Sequence, residues 1–178
     1  MSGPVLVLVG PPGAGKSVVG RAVAERLGVE FVDTDAAVGA RAGNDVGAAF
    51  VDLGEERFRQ LEAEVVREAL TTSGVVAIGG GAVTAVRPQL ERCAAAGTAV
   101  VFLDVSLSAA ASRVGLNVPR SVALGNARAQ LSAMLEERRP GYAAVATAVV
   151  ETADREVAEV VDAVLDEIAH SDGSSSTP

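Results

Sequence analysis

The stretch Gly10-Pro11-Pro12-Gly13-Ala14-Gly15-Lys16-Ser17 holds the only lysine of a 178-residue chain whose other basic side chains, histidine apart, are all arginine. Gly10, Gly15, Lys16 and Ser17 satisfy the pattern G-x-x-x-x-G-K-[ST], in which successive backbone N–H groups converge on phosphate oxygens. Glycine allows the amides to turn inward, and the N-terminus of a following helix adds partial positive charge. Gly13, Ala14, Gly15, Lys16, Ser17 and Val18 are therefore the expected nucleotide cradle. Lys16 sets a compact charge on the β- and γ-phosphates, a task that the wide planar fork of arginine does not perform equivalently. The Ser17 hydroxyl is an expected ligand for Mg²⁺.

A phosphoryl donor needs an acceptor. Asp33 and Asp35, in "FVDTD", stand two apart, so both project to one side if the strand geometry persists. One carboxylate can hold hydrated Mg²⁺ while the other accepts the proton of an attacking hydroxyl; the alternative is a strand-end pair that caps the next helix. Arg57 and Arg59 lie among glutamates in "GEERFRQLEAE", where the ordinary expectation is a solvated helix face with i, i+4 ion pairs. Gly79, Gly80 and Gly81 end a strand in "AIGGGAV". Such a run lets a ligand approach the backbone closely, whereas a tight turn needs only one or two glycines.

The elements that must position these groups are strands and helices in alternation. Val5–Val9, Val29–Asp33, Val75–Ile78, Ala99–Asp104 and Thr147–Val150 are continuous apolar runs, as expected of parallel strands covered on both faces. Ser17–Leu27, with Gly28 as its stop, reads as an amphipathic helix presenting Val18, Val19, Ala22, Val23 and Leu27 to one side. Glu55–Leu70, Ala127–Glu137 and Arg155–Ala169 follow the same logic. The pattern predicts a single α/β domain over 1–170, with ligands beyond the carboxyl ends of the strands. The segment Val114–Asn126, broken by Gly and Pro, is the least regular, and the small polar tail 171–178 is expected to be disordered.

Composition narrows the function. A formal charge of −8 and a pI near 4.7 argue against nucleic acid or an anionic membrane as partner, since both demand a cationic surface. The single cysteine, Cys93, forms no internal disulfide and fits a reducing, cytoplasmic setting. No stretch approaches the length of a membrane span or a signal-peptide core. These residues by themselves reach an ATP-dependent kinase of a small hydroxylated acid.

In this order and spacing, "GPPGAGKS", "FVDTD", "GEERFRQLE" and "AIGGGAV" resemble the shikimate kinases, over about Val5 to Val161. The resemblance implies a P-loop fold of the nucleoside-monophosphate-kinase type: a five-stranded parallel sheet of order 2-3-1-4-5, helices on both faces, a substrate-binding helical region, and a mobile lid at about 114–126. It implies ATP and Mg²⁺ as cofactors, shikimate as substrate and a monomer. Asp35 resembles the substrate aspartate and candidate base at the 3-hydroxyl, and Asp33 the aspartate that holds Mg²⁺ through water beside Ser17. Arg59 and Arg138 resemble the pair that fixes the substrate carboxylate, and Gly80 and Gly81 the glycines that line the ring. Arg120 resembles the lid arginine that closes over the transferring phosphate; Arg113 and Arg155 match nucleotide-side arginines. One departure stands out: the family follows the lid arginine with Pro-Leu-Leu, whereas here Pro119 precedes Arg120 and Ser121-Val122-Ala123 follow, which changes where the lid is stiff. Two rivals remain open at this level. One is a gluconate-kinase-like enzyme, whose substrate also joins a carboxylate to hydroxyls; the other is a nucleotide-binding module with weak turnover.

Overall fold

Five runs of Val, Leu, Ala and Phe form the strands β1 (Leu6–Val9), β2 (Phe31–Asp33), β3 (Val75–Ala77), β4 (Ala99–Asp104) and β5 (Ala148–Glu151). They pair in parallel in the order β2-β3-β1-β4-β5, with β1 at the centre. The computed structural model describes residues 3–116 and 121–173, and of 121–125 and 172–173 only the backbone. Arg120 and the middle of the expected lid (117–120), with 174–178 of the expected tail, lie outside the described residues.

Helices cover both faces of the sheet: α1 (Lys16–Leu27), α2 (Thr34–Ala42), α3 (Val46–Leu53), α4 (Glu55–Ala69), α5 (Arg87–Ala95), α6 (Leu107–Arg113), α7 (Ser121–Val145) and α8 (Val157–Gly173). The period of two along β1 divides its side chains between two cores. Leu6 and Leu8 pack with Val19 and Val23 of α1 and Val160, Val161 and Val164 of α8. Val7 and Val9 pack on the other face with Val66 of α4 and Leu90 of α5. All four β1 side chains have no exposed surface, which is why the strand reads as an unbroken apolar run. A third, smaller core joins α2, α3 and α4 through Val38, Ala49, Phe58, Leu61 and Val65, and this helical unit stands beside the end of β2.

Several boundaries differ from the sequence expectation. Gly28, at φ 66°, stops α1 as expected, but Val18, assigned to its inward face, is 58% exposed. The helix expected to end at Glu137 continues through Pro140 to Val145. Proline removes a helical hydrogen bond, yet packing on either side of it sustains the helix: Leu131 and Leu135 belong to one core, Tyr142 and Val145 to the other. The backbone of α7 begins at Ser121, so its first turns occupy part of the segment expected to be lid. At the other end, α8 runs on to Gly173.

Candidate active site

The phosphate loop leaves β1 through glycines that no other residue replaces. Gly10 has φ 146°, and a Cβ there would lie 2.6 Å from the Leu103 carbonyl oxygen; Gly13 and Gly15 have φ 79° and 92°. Gly15 is the N-cap of α1 and offers no side chain to the first amides of the helix, which leaves them available for an anion. The Lys16 ammonium donates to the carbonyl oxygens of Gly10 at 2.8 Å and Pro11 at 3.0 Å. Burial lowers its pKa, opposed by the charges of Asp35 and Asp33. The loop lines a cavity of about 450 Å³ together with Asp33, Asp35, Arg113 and Arg155.

Side chains from α1, α6, α8 and the turn after β5 close this cavity. Arg113, at the end of α6, donates to the Gly13 carbonyl at 3.1 Å, to Thr152 Oγ1 at 3.0 Å and to the Thr152 carbonyl at 2.6 Å. It thereby ties the phosphate loop to the turn after β5. Arg155 donates to the carbonyls of Glu151 at 3.3 Å and Glu159 at 2.9 Å. Val18 and Val157 are large apolar side chains left 58% and 46% exposed, and both line the cavity, as a flat apolar ring system would require.

The two aspartates are not related as strand neighbours. β2 ends at Asp33, which caps α2: its Oδ1 accepts from the amides of Asp35 at 3.0 Å and Ala36 at 3.3 Å. The expectation that both project from a continuing strand is therefore corrected, because the backbone turns helical at Thr34. Capping does not consume Asp33, however. Its Oδ2 accepts from Ser17 Oγ at 2.5 Å, so these two hard oxygens stand together at the mouth of the cradle. Among the described residues no group of three or more His, Cys, Asp or Glu side chains is placed to hold a metal ion. Ser17 and Asp33 suit an ion that takes most of its oxygen ligands from phosphate and water, the habit of Mg²⁺.

Asp35 rides on the first turn of α2 and also lines a second cavity of about 300 Å³, with Arg59, Gly80, Gly81 and Arg138. Burial raises its pKa, Lys16 lowers it, and Asp33 raises it further. Each of the three glycines after β3 yields to a different side chain. A Cβ on Gly79 would overlap the Asp35 carboxylate, one on Gly80 would lie 2.7 Å from the Tyr142 hydroxyl, and one on Gly81 would overlap the Arg59 guanidinium. Buried Thr34 accepts from the Gly79 amide at 2.9 Å, joining the start of α2 to this turn.

Arg59 is not on a solvated face. It donates to Glu62 at 2.6 Å, and Glu62 is only 5% exposed. Burial raises the Glu62 pKa, while the hydrogen bond and charge of Arg59 lower it. The guanidinium also lies over the rings of Phe58 and Phe50, 5.6 and 5.9 Å from their centroids. Arg138, on α7, faces it across the cavity and across an adjoining one of about 300 Å³ that includes Tyr142. A larger groove, of about 780 Å³, lies at the opposite end of the sheet. Its arginines, Arg67 and Arg92, occupy the last turns of α4 and α5, where a cation offsets the helix dipole.

A family model described as shikimate kinase matches residues 12–169. The chain belongs to the shikimate kinase family. It is 49% identical over 168 residues to "Shikimate kinase" of Thermobifida fusca, covering 94% of this chain and 96% of that protein. A solved structure of shikimate kinase from Acinetobacter baumannii in complex with shikimate is similar at TM-score 0.81 and 30% identity, over 96% of this chain and 94% of that one. A gluconokinase from Sinorhizobium meliloti, at TM-score 0.63 and 23% identity over 94% and 92% of the two chains, shares the fold. As a member of the shikimate kinase family the chain is an ATP-dependent kinase, and its sheet order is the one the family resemblance implied.

Of the residues singled out from sequence, Gly13 through Val18, Asp33, Asp35, Arg113 and Arg155 meet around the first cavity. Asp35, Arg59, Gly80, Gly81 and Arg138 meet around the second. Thr34, Glu62, Tyr142 and Thr152 were not singled out. Glu62 was legible as the i+3 partner of Arg59 on a helix, and Tyr142 as the only tyrosine in the chain. Thr34 and Thr152 carry no signal short of the fold, because what each one holds is a backbone group distant in sequence.

Proposed function

We propose that this kinase transfers the γ-phosphoryl group of ATP to the 3-hydroxyl of shikimate, giving shikimate 3-phosphate and ADP in aromatic amino-acid biosynthesis. The observation that carries the reading is that Asp35, with Pro12, lines both the nucleotide cavity and the one bounded by Arg59 and Arg138. A base in that shared wall stands between donor and acceptor.

The chain's own groups then divide the work. The free amides at the start of α1 and the Lys16 ammonium receive the β- and γ-phosphate oxygens. Ser17 and Asp33 hold Mg²⁺, which neutralises developing phosphate charge when bound. Arg59 and Arg138 fix the planar carboxylate of the acid through paired guanidinium hydrogen bonds, so its ring lies along Gly80 and Gly81 and its hydroxyl is oriented. Asp35 takes the hydroxyl proton as that oxygen bonds to the γ-phosphorus and the bond to the bridging β–γ oxygen breaks, its electron pair leaving with ADP. Burial makes Asp35 a stronger base than an exposed carboxylate, with the Lys16 charge opposing the rise. Arg120 supplies the lid charge and Arg113 and Arg155 bound the nucleotide. The net charge of −8 favours small-molecule partners over nucleic acid or membrane, and among the described residues no helix is long and apolar enough to cross a membrane. A cytoplasmic monomer completes the reading.

The test is ADP release from ATP with shikimate, with gluconate, and with neither, in the wild type and Lys16→Ala. Shikimate-dependent release that is lost in Lys16→Ala is expected. Equal release in all three conditions, or stimulation by gluconate alone, overturns the assignment.

A further inference from the structure

Thr152 is 2% exposed and stands directly after β5, where its amide donates to the Asp104 carbonyl at 2.9 Å. The backbone of the sheet therefore fixes its place beside the end of β4. A buried hydroxyl is costly without a partner, and this one accepts from Arg113 Nη1 at 3.0 Å while the carbonyl of the same residue accepts from Nη2 at 2.6 Å. Two bonds from one guanidinium to one residue fix the plane of the group, whereas a single bond lets it swing. Arg113 depends on this grip, because among the described residues no carboxylate pairs with it.

So held, Nη1 of Arg113 also donates to the Gly13 carbonyl at 3.1 Å. At the other end of that peptide unit, the Ala14 amide donates to the Pro11 carbonyl at 3.3 Å, and the same carbonyl receives the Lys16 ammonium at 3.0 Å. Hydrogen bonds thus run without a break from the turn after β5 to the charge at the centre of the cradle. Packing does not replace them. Gly13 lies against α6, where a Cβ would be 3.0 Å from Ala110, but that contact sets a distance, and a glycine peptide needs directed bonds to hold its orientation.

We propose that Thr152 is a positioning residue for the phosphate loop: it clamps the Arg113 guanidinium, which in turn holds the Gly13–Ala14 peptide in the form that receives the nucleotide. The inference rests on the nucleotide cradle assigned above and adds to it a residue from the edge of the sheet. A loop already ordered binds more tightly, because ordering it on binding consumes part of the interaction energy.

Thr152→Val keeps the branched side chain and removes the hydroxyl. In calorimetric titrations of the whole protein its affinity for ADP should fall about tenfold, the low end for a hydrogen bond to a charged group because the bonds of Arg113 to two carbonyls remain. The shikimate KM should be unchanged, and Thr152→Ser, which restores the hydroxyl, should recover most of the ADP affinity. Arg113→Ala should weaken ADP at least as much, and adding Thr152→Val to it should cost little more, because the hydroxyl acts through the guanidinium. Unchanged ADP affinity in Thr152→Val, an equal loss in Thr152→Ser, a parallel rise in shikimate KM, or full additivity with Arg113→Ala overturns the role of Thr152 alone. Normal ADP binding in Arg113→Ala overturns it together with the nucleotide-side reading of that arginine.

Discussion

Adjacent glycines should have different kinetic signatures when each is replaced by alanine. The φ of Gly79 is outside the left-handed region, so alanine costs nothing in backbone conformation there, and the whole effect comes from the added methyl. That methyl would overlap the Asp35 carboxylate, whose Cγ lies 2.9 Å from the Cβ position. The carboxylate is the free end of a side chain beside a cavity, so it can rotate away. The stability cost should be at the low end of the overpacking range, about 1 kcal/mol, or a few degrees of melting temperature for a domain of this size. The chemical cost is larger, since a displaced base forfeits a contribution of roughly 10²- to 10⁴-fold. Gly79→Ala should therefore lower kcat by about a hundredfold at nearly constant KM for ATP. In Gly81→Ala the methyl overlaps the Arg59 guanidinium instead, so the shikimate KM should rise about tenfold while kcat falls little. Steady-state kinetics in a coupled ADP assay, with thermal melts of both variants, measure this. If Gly79→Ala kept kcat within about threefold of wild type, or if both variants showed the same kinetic profile, Asp35 and Arg59 would not hold the separate roles assigned to them.

Arg59→Ala should raise the shikimate KM and also lower the melting temperature, because it leaves the Glu62 carboxylate buried without its partner. Adding Glu62→Gln should restore the melting temperature and not the KM; recovery of both would place Arg59 outside the substrate site. The raised pKa of Asp35 sets a sign for Asp35→Asn. In the wild type the ionised carboxylate is disfavoured on folding, so stability is lost as pH rises through the folded pKa, while at lower pH both states bind the proton. Asp35→Asn should thus be inactive, and its melting temperature relative to wild type should be higher at pH 8 than at pH 4. A difference independent of pH would show that burial does not perturb this carboxyl.

The phosphate loop was legible because its chemistry is written in consecutive residues: glycines at required positive φ values, then Lys16 and Ser17 opening α1. The strands were legible for a similar reason, since a parallel sheet covered on both faces leaves no polar alternation to obscure them. The acceptor site was legible through resemblance more than through physics. Taken alone, Arg59 belongs to a charged helix face; its buried partner Glu62 and the Phe50 and Phe58 rings beside its guanidinium distinguish it from Arg57, which is exposed and pairs with Glu64 at 3.8 Å.

What the amino-acid order determined by itself was therefore local: the anion cradle, the alternation of strand and helix, and the glycine run after β3. Periodicity and backbone preference act over a few residues, and each of these features spans no more than that. The tertiary structure decided which groups share a cavity. It placed Asp35 between two cavities by turning the chain helical at Thr34, directly after β2, carried α7 through Pro140 from one core to the other, and brought Tyr142 against Gly80, 62 positions away. Contacts of that range depend on how the helices pack across the sheet, and no short window of sequence contains both partners.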